Sequence, residues 1–161
     1  MWQRVSVTRS RSSRQRQQRH RSPAPPKNAS AQSATLGVAN EDVGEILVDS
    51  QGRTLYLFKR DLDAKSTCNG ACAVEWPPLR ATRKPTVGSG VNAAIVATSI
   101  RSDGKPQVTY NGHPLYLFSV DQKAGDTNGQ GVNAFGGLWY VLSPSGDEVT
   151  TPAGPGRGFG Y

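Results

Sequence analysis

The chain has 161 residues, 35% of them hydrophobic, with a formal net charge of +7 and a pI near 9.8. That length allows one ordinary domain, or two very small ones sharing a core. No apolar run reaches the roughly 18–20 residues of a membrane-spanning helix, and the first residues lack the apolar stretch of a secretory signal.

The positive charge is concentrated at one end. Arg4, Arg9, Arg11, Arg14, Arg16, Arg19, Arg21 and Lys27 all lie within residues 1–39, which contain no acid; residues 40–161 hold eleven basic and twelve acidic residues. The high pI thus belongs to the N-terminal segment, and a basic groove on the rest of the chain is not expected. Residues 1–39 read as a disordered basic tail, because a polar Arg/Ser/Gln/Pro composition buries too little to offset ordering entropy. Three readings of it stay open: a tether for nucleic acid or an acidic surface, a solvated linker, or a segment absent from the working protein. Nucleic acid is expected as a partner only through this tail. Asn28-Ala29-Ser30 also fits a glycosylation sequon.

From Val43 the pattern becomes that of short strands. Residues 45–49 predict a strand, Ser50-Gln51-Gly52 a turn, and residues 53–59 a returning strand, together a hairpin. Leu55 and Leu57 alternate with Tyr56 and Phe58, so both faces are apolar, as in a strand covered on both sides. A polar loop leads to Cys68-Asn69-Gly70-Ala71-Cys72, where one helical turn fits within residues 67–75, and then to Trp76-Pro77-Pro78, where the prolines bar regular helix. Residues 94–100 are β-like, Ser102-Asp103-Gly104 turns the chain, and residues 107–110 return. Asn111-Gly112 is the strongest hairpin signal in the sequence and opens residues 113–119. A Gly/Asn-rich loop over residues 125–137 precedes a last strand at 138–142. Residues 151–161 read as a flexible C-terminus.

Sixty residues separate two nearly identical segments. Gly52-Arg53-Thr54-Leu55-Tyr56-Leu57-Phe58-Lys59-Arg60-Asp61 aligns without gaps to Gly112-His113-Pro114-Leu115-Tyr116-Leu117-Phe118-Ser119-Val120-Asp121. Trp76 and Trp139 follow as large apolar anchors. One copy is too small to bury a stable core alone, whereas two can cover each other with their Tyr, Phe and Trp rings. The expected fold is therefore all-β. Two pseudo-symmetric repeats, about 43–79 and about 94–146, form one antiparallel sheet, sandwich or barrel-like domain over residues 40–150. Asp61 and Asp121 stand where a carboxylate can cap the following loop by accepting N–H groups.

These residues resemble the bacterial secreted and lipoprotein repeat family defined by Tyr-x-(Phe/Trp/Tyr)-x-x-Asp. The motif stands here as Tyr56, Phe58, Asp61 and as Tyr116, Phe118, Asp121. The segments around Cys68–Cys72, Trp76-Pro77-Pro78 and Gly137-Leu138-Trp139 are similar to the family too, so the resemblance covers roughly residues 43–146. It implies an exported domain, at the cell surface, extracellular or periplasmic, of unestablished biochemical function.

Cys68 and Cys72 are the only cysteines. In an exported protein they read first as a disulfide bracing the loop before Trp76, with a metal or redox site and free thiols as the alternatives. Two thiolates are too few for a closed zinc site, and His113 is the only histidine beyond the tail. His113 reads as a solvent-facing hairpin residue. Asp126-Thr127-Asn128-Gly129 lacks the bidentate glutamate of an EF-hand. No Gly-x-Ser-x-Gly elbow, His-Glu-x-x-His or phosphate-binding Gly-Lys-Ser/Thr is present. The expectation is a non-enzymatic surface or periplasmic binding module with no catalytic residue, metal or cofactor. Its partner is an envelope or extracellular ligand, and no motif specifies that ligand or an oligomeric state. A cysteine-dependent redox or metal-binding envelope protein is the alternative.

Overall fold

The computed structural model describes residues 34–153. The readings made for residues 1–33, including the sequon, and for residues 154–161 lie outside the described residues. In chain order the elements are β1 (Thr35–Glu41), β2 (Gly44–Val48), β3 (Tyr56–Phe58), α1 (Ala71–Glu75), β4 (Thr86–Val87), β5 (Val96–Ile100), β6 (Pro106–Tyr110), β7 (His113–Pro114), β8 (Asn133–Ala134) and β9 (Gly137–Val141). A 3-10 turn at Ala93–Ile95 leads into β5. Among the described residues the fold is all-β apart from that turn and the five residues of α1.

The domain starts earlier than residue 40. β1 pairs antiparallel with β2 from Gly37↔Val48 to Glu41↔Gly44, and Ala34 and Leu36 are buried. Residues 35–39 therefore belong to the fold and not to the tail assigned above. Their strand signal is faint because Thr35, Gly37 and Ala39 leave Leu36 and Val38 as the only large apolar residues. β1 also holds β4 on its other side, in a parallel pair that begins at Thr35↔Thr86.

The hairpin expected over residues 45–59 forms only in part. Asp49 makes its turn by accepting the N–H groups of Gln51 and Arg53, both at 2.9 Å. Thr54 and Leu55 then run beside β2, with Val48↔Thr54 as a bridge and Leu55 N–H donating to Leu47 at 3.1 Å. At Tyr56 the chain changes partner, and β3 pairs with β9 through Tyr56↔Val141, Leu57↔Tyr140 and Phe58↔Trp139. In all, the strands form three three-stranded sheets, β2-β1-β4, β3-β9-β8 and β5-β6-β7, joined by single bridges.

The most informative bridge is Tyr56↔Tyr116. Tyr56 N–H donates to Tyr116 O at 2.9 Å and Tyr116 N–H donates to Tyr56 O at 3.0 Å. Equivalent positions of two repeats can face each other antiparallel only where a local two-fold axis passes between them. The flanking pairs obey the same axis: Tyr56 pairs with Val141, two residues after Trp139, and Tyr116 with Pro78, two residues after Trp76. Each motif segment is thus flanked by the tryptophan segment of the other repeat. The two sides differ in regularity. β9 is a five-residue strand, whereas Pro77-Pro78 supplies no N–H and reduces the equivalent ladder to isolated contacts, so the strand expected over residues 113–119 shortens to β7.

Alternation along these segments builds two cores. Leu55, Leu57 and Leu115 join Leu36, Leu47, Val108 and Leu142 on one side. Tyr56, Phe58, Tyr116 and Phe118 join Trp76, Trp139, Ile46 and Val141 on the other. α1 ends at Trp76, where Pro77 stops it, and it carries Cys72 into the aromatic side.

Candidate functional site

The motif residues meet around the two-fold axis. Four rings lie face to face in the order Phe58, Trp139, Trp76, Phe118, with centroid separations of 4.0, 3.9 and 3.9 Å and interplanar angles of 10°, 6° and 15°. The rings alternate between repeats. Tyr56 meets Trp76 edge-on at 5.4 Å, and Tyr116 meets Trp139 edge-on at 5.1 Å. Both tyrosines and both tryptophans are fully buried. Stacked and edge-on contacts of this kind contribute about 0.5–1.5 kcal/mol per pair beyond the area they bury.

The polar ends of the motif also cross between repeats. Tyr56 OH donates to Asp121 Oδ2 at 2.6 Å, and Tyr116 OH donates to Asp61 Oδ2 at 2.6 Å. The other oxygen of each carboxylate holds its own following loop. Asp61 Oδ1 accepts Thr67 N–H at 2.7 Å and Thr67 Oγ1 at 2.8 Å; Asp121 Oδ1 accepts Asn128 N–H at 3.0 Å. Each aspartate therefore ties three things: its own repeat, its loop, and the tyrosine of the other repeat. The sequence pointed to the loop contacts but carried no sign of the crossing, because spacing within a repeat does not record contacts between repeats.

Burial, and then the neighbouring aspartate, raise the pKa of both tyrosines, so the hydroxyls stay protonated donors. Burial likewise raises Asp61, and it lifts Asp121 to about 6 against the hydrogen bonds from Tyr56 and Asn128. The arrangement can fix geometry and take up a proton on Asp121 in mildly acid solution. Its tyrosines are not poised as nucleophiles.

The loops add residues that sequence reasoning missed. Tyr56 OH accepts Gly129 N–H at 3.1 Å. A Cβ at Gly129 would stand 2.8 Å from two atoms of the Trp76 ring and 2.9 Å from Tyr56, so the loop approaches the rings this closely only with glycine there. On the other side Ser66 Oγ and Tyr116 OH share a hydrogen bond at 2.7 Å. Ser66 in turn accepts from Arg101 Nη1 at 2.9 Å. Arg101 is 4% exposed, and its guanidinium also donates to Cys68 O at 2.7 Å, Gln107 Oε1 at 3.0 Å and Asn69 Oδ1 at 3.2 Å. A buried charge needs that many acceptors. Nothing in the pattern around Arg101 marks it, since arginine in a turn is ordinarily exposed.

Cys68 and Cys72 form a disulfide, and both are buried beside the rings. His113 is half-buried in β7; burial first, and the charge of Lys59 second, lower its pKa. Asp126 Oδ2 accepts the N–H groups of Gln122 and Lys123 at 2.9 and 3.2 Å, so its carboxylate holds a turn. Among the described residues no group of three or more His, Cys, Asp or Glu side chains converges, and no helix is long and apolar enough to cross a membrane.

The geometry assigns two copies of one unit, each contributing a Tyr-x-Phe-x-x-Asp segment and a tryptophan. A family model described as a secreted repeat of unknown function matches residues 37–80 and again residues 97–143, together more than half of the chain. Neither a curated protein nor a solved structure matches it. Both matched spans contain a motif and its tryptophan, and so coincide with the two halves related by the axis. The chain belongs to the family of secreted repeats of unknown function.

Proposed function

We propose that the domain is a non-enzymatic binding and interaction module acting at the cell surface or in the periplasm. One observation carries this reading: the polar groups of the motif are engaged within the molecule, Tyr56 with Asp121 and Tyr116 with Asp61. Residues so engaged, on rings that are fully buried, act as a scaffold. Recognition then falls to the loops and strand edges that the scaffold holds, where binding residues commonly ride. The redox alternative gains no support from the cysteines, because they are joined to each other and shielded from a partner thiol.

The test is saturation binding of the labelled full chain to envelope fractions and secreted material from the source cells. Saturable binding that competes with unlabelled chain and is lost on unfolding supports the reading. Absence of saturable binding, or equal binding by the unfolded chain, contradicts it.

A further inference from the structure

β5 has one open side. Asn111 N–H donates to Ile95 O at 2.9 Å and Arg101 N–H donates to Lys105 O at 2.9 Å, which sets the phase of the β5–β6 ladder. Hydrogen-bonded pairs alternate along an antiparallel ladder. Ala97 and Ser99 therefore bond to β6, while Val96, Thr98 and Ile100 turn their N–H and C=O groups away from it. Val96 N–H is used by Ala93 O at the end of the 3-10 turn. Among the described residues no hydrogen bond reaches the outward backbone groups of Thr98 and Ile100.

An edge of this kind is normally blunted by lysine, proline or a bulge. The β5 sequence Val-Ala-Thr-Ser-Ile has none of these, its five pairs run without a break, and Ile100 is 62% exposed at its end. Alongside lies an open groove of about 610 Å³ whose lining includes Val96, Ala97, Thr98 and Ile100 of β5 together with Arg83 and Lys84. Arg83 and Lys84 are the charged residues of that lining; both are exposed, and neither is ion-paired among the described residues. The groove thus offers main-chain donors and acceptors, apolar side chains and positive charge together.

Charge selects among the occupants. The chain's own N-terminal segment, with eight basic residues and no acid, has the wrong sign. A second copy pairing through β5 would bring a second Arg83 and Lys84 to the same edge. We propose that β5 is a strand-addition site for an extended acidic peptide segment of a partner protein. The segment pairs with the outward groups of Thr98 and Ile100, and Arg83 and Lys84 hold its carboxylates. This rests on the binding-module reading and names the chemistry of the partner.

The test uses the full chain and a blocked peptide of alternating Glu and Val, about ten residues long, with a Lys-Val peptide as control. The basic N-terminal segment also attracts acid, so the readouts are specific to the edge. Peptide binding should protect the Thr98 and Ile100 amides from hydrogen exchange. R83E/K84E should weaken that peptide about tenfold. Thr98→Pro removes one outward N–H and no rung of the β5–β6 ladder; it should weaken binding about as much, and if it fails to fold, R83E/K84E carries the test. Absence of protection, equal protection by the Lys-Val peptide, or unchanged affinity in the variants overturns the proposal. So does self-association of the free chain that R83E/K84E alters. Saturable envelope binding that survives both variants overturns the β5 site and leaves the module reading standing; no saturable envelope binding by the parent chain removes the module reading itself.

Discussion

The loop after Asp61 and the loop after Asp121 perform the same task with different materials. Each folds back to hold the hydroxyl of the other repeat's tyrosine. The first does so with side chains: Ser66 meets Tyr116, Arg101 supports Ser66, and the Cys68–Cys72 bridge ties the chain just beyond. The second does so with backbone, placing Gly129 N–H on Tyr56 OH and pressing the glycine against the Trp76 ring. Trp139 donates its indole N–H to Ala134 O at 3.1 Å, whereas the Trp76 indole N–H is buried without a partner among the described residues. The comparison separates what the duplication needs from what each copy is free to vary. Rings, hydroxyls and carboxylates are kept; the means of closing the loop over them is not.

The largest effect should come from the shared part. Trp76→Ala and Trp139→Ala each remove a fully buried ring contacting both repeats, and each should cost about 3–5 kcal/mol in denaturant unfolding. Comparable losses mean that the two halves share one core. A loss confined to one variant means that the stack is not the common element.

The parts unique to one loop should cost less. Gly129→Ala forces a methyl against two packed rings and should cost about 3 kcal/mol, the upper end of overpacking. Replacing Cys68 and Cys72 together by alanine opens a five-residue loop and should cost about 2 kcal/mol by chain entropy. Thermal melts of the two variants weigh backbone closure against the covalent brace. A neutral Gly129→Ala would show that the loop does not need its close approach.

The smallest effect is one of pH. Asp121 has its folded pKa raised to about 6, above the ordinary value of an unfolded aspartate. The folded state therefore binds the proton more readily. Its share of stability is fully present below the unfolded pKa, near 4, and is lost as pH rises through about 6. Relative to Asp121→Asn, the parent chain should gain stability as pH falls from 7 toward 4. Parallel pH profiles for the two proteins would refute the assignment.

Much of this was legible in the sequence. The exact recurrence of Leu-Tyr-Leu-Phe placed the duplicated core, and its alternation gave the leucine and aromatic sides. The double proline marked the end of α1, and Asn111-Gly112 marked the turn into β7. What could not be read is what depends on the axis. Leu57 looks the same in sequence whether it pairs with Glu45 across the hairpin or with Tyr140. Asp61 looks the same whether it bonds Tyr56 or Tyr116. β1 escaped notice because small residues carry little strand signal, and Arg101 because burial of arginine depends on acceptors from distant segments.

The motif tyrosine of each repeat is held by the aspartate of the other. Double-mutant cycles in denaturant test it most directly, combining Tyr56→Phe with Asp121→Asn and, separately, with Asp61→Asn. A coupling of about 1–2 kcal/mol is expected for Tyr56 with Asp121, and additivity within about 0.5 kcal/mol for Tyr56 with Asp61. Coupling of Tyr56 to Asp61 of its own repeat, with none to Asp121, would contradict it.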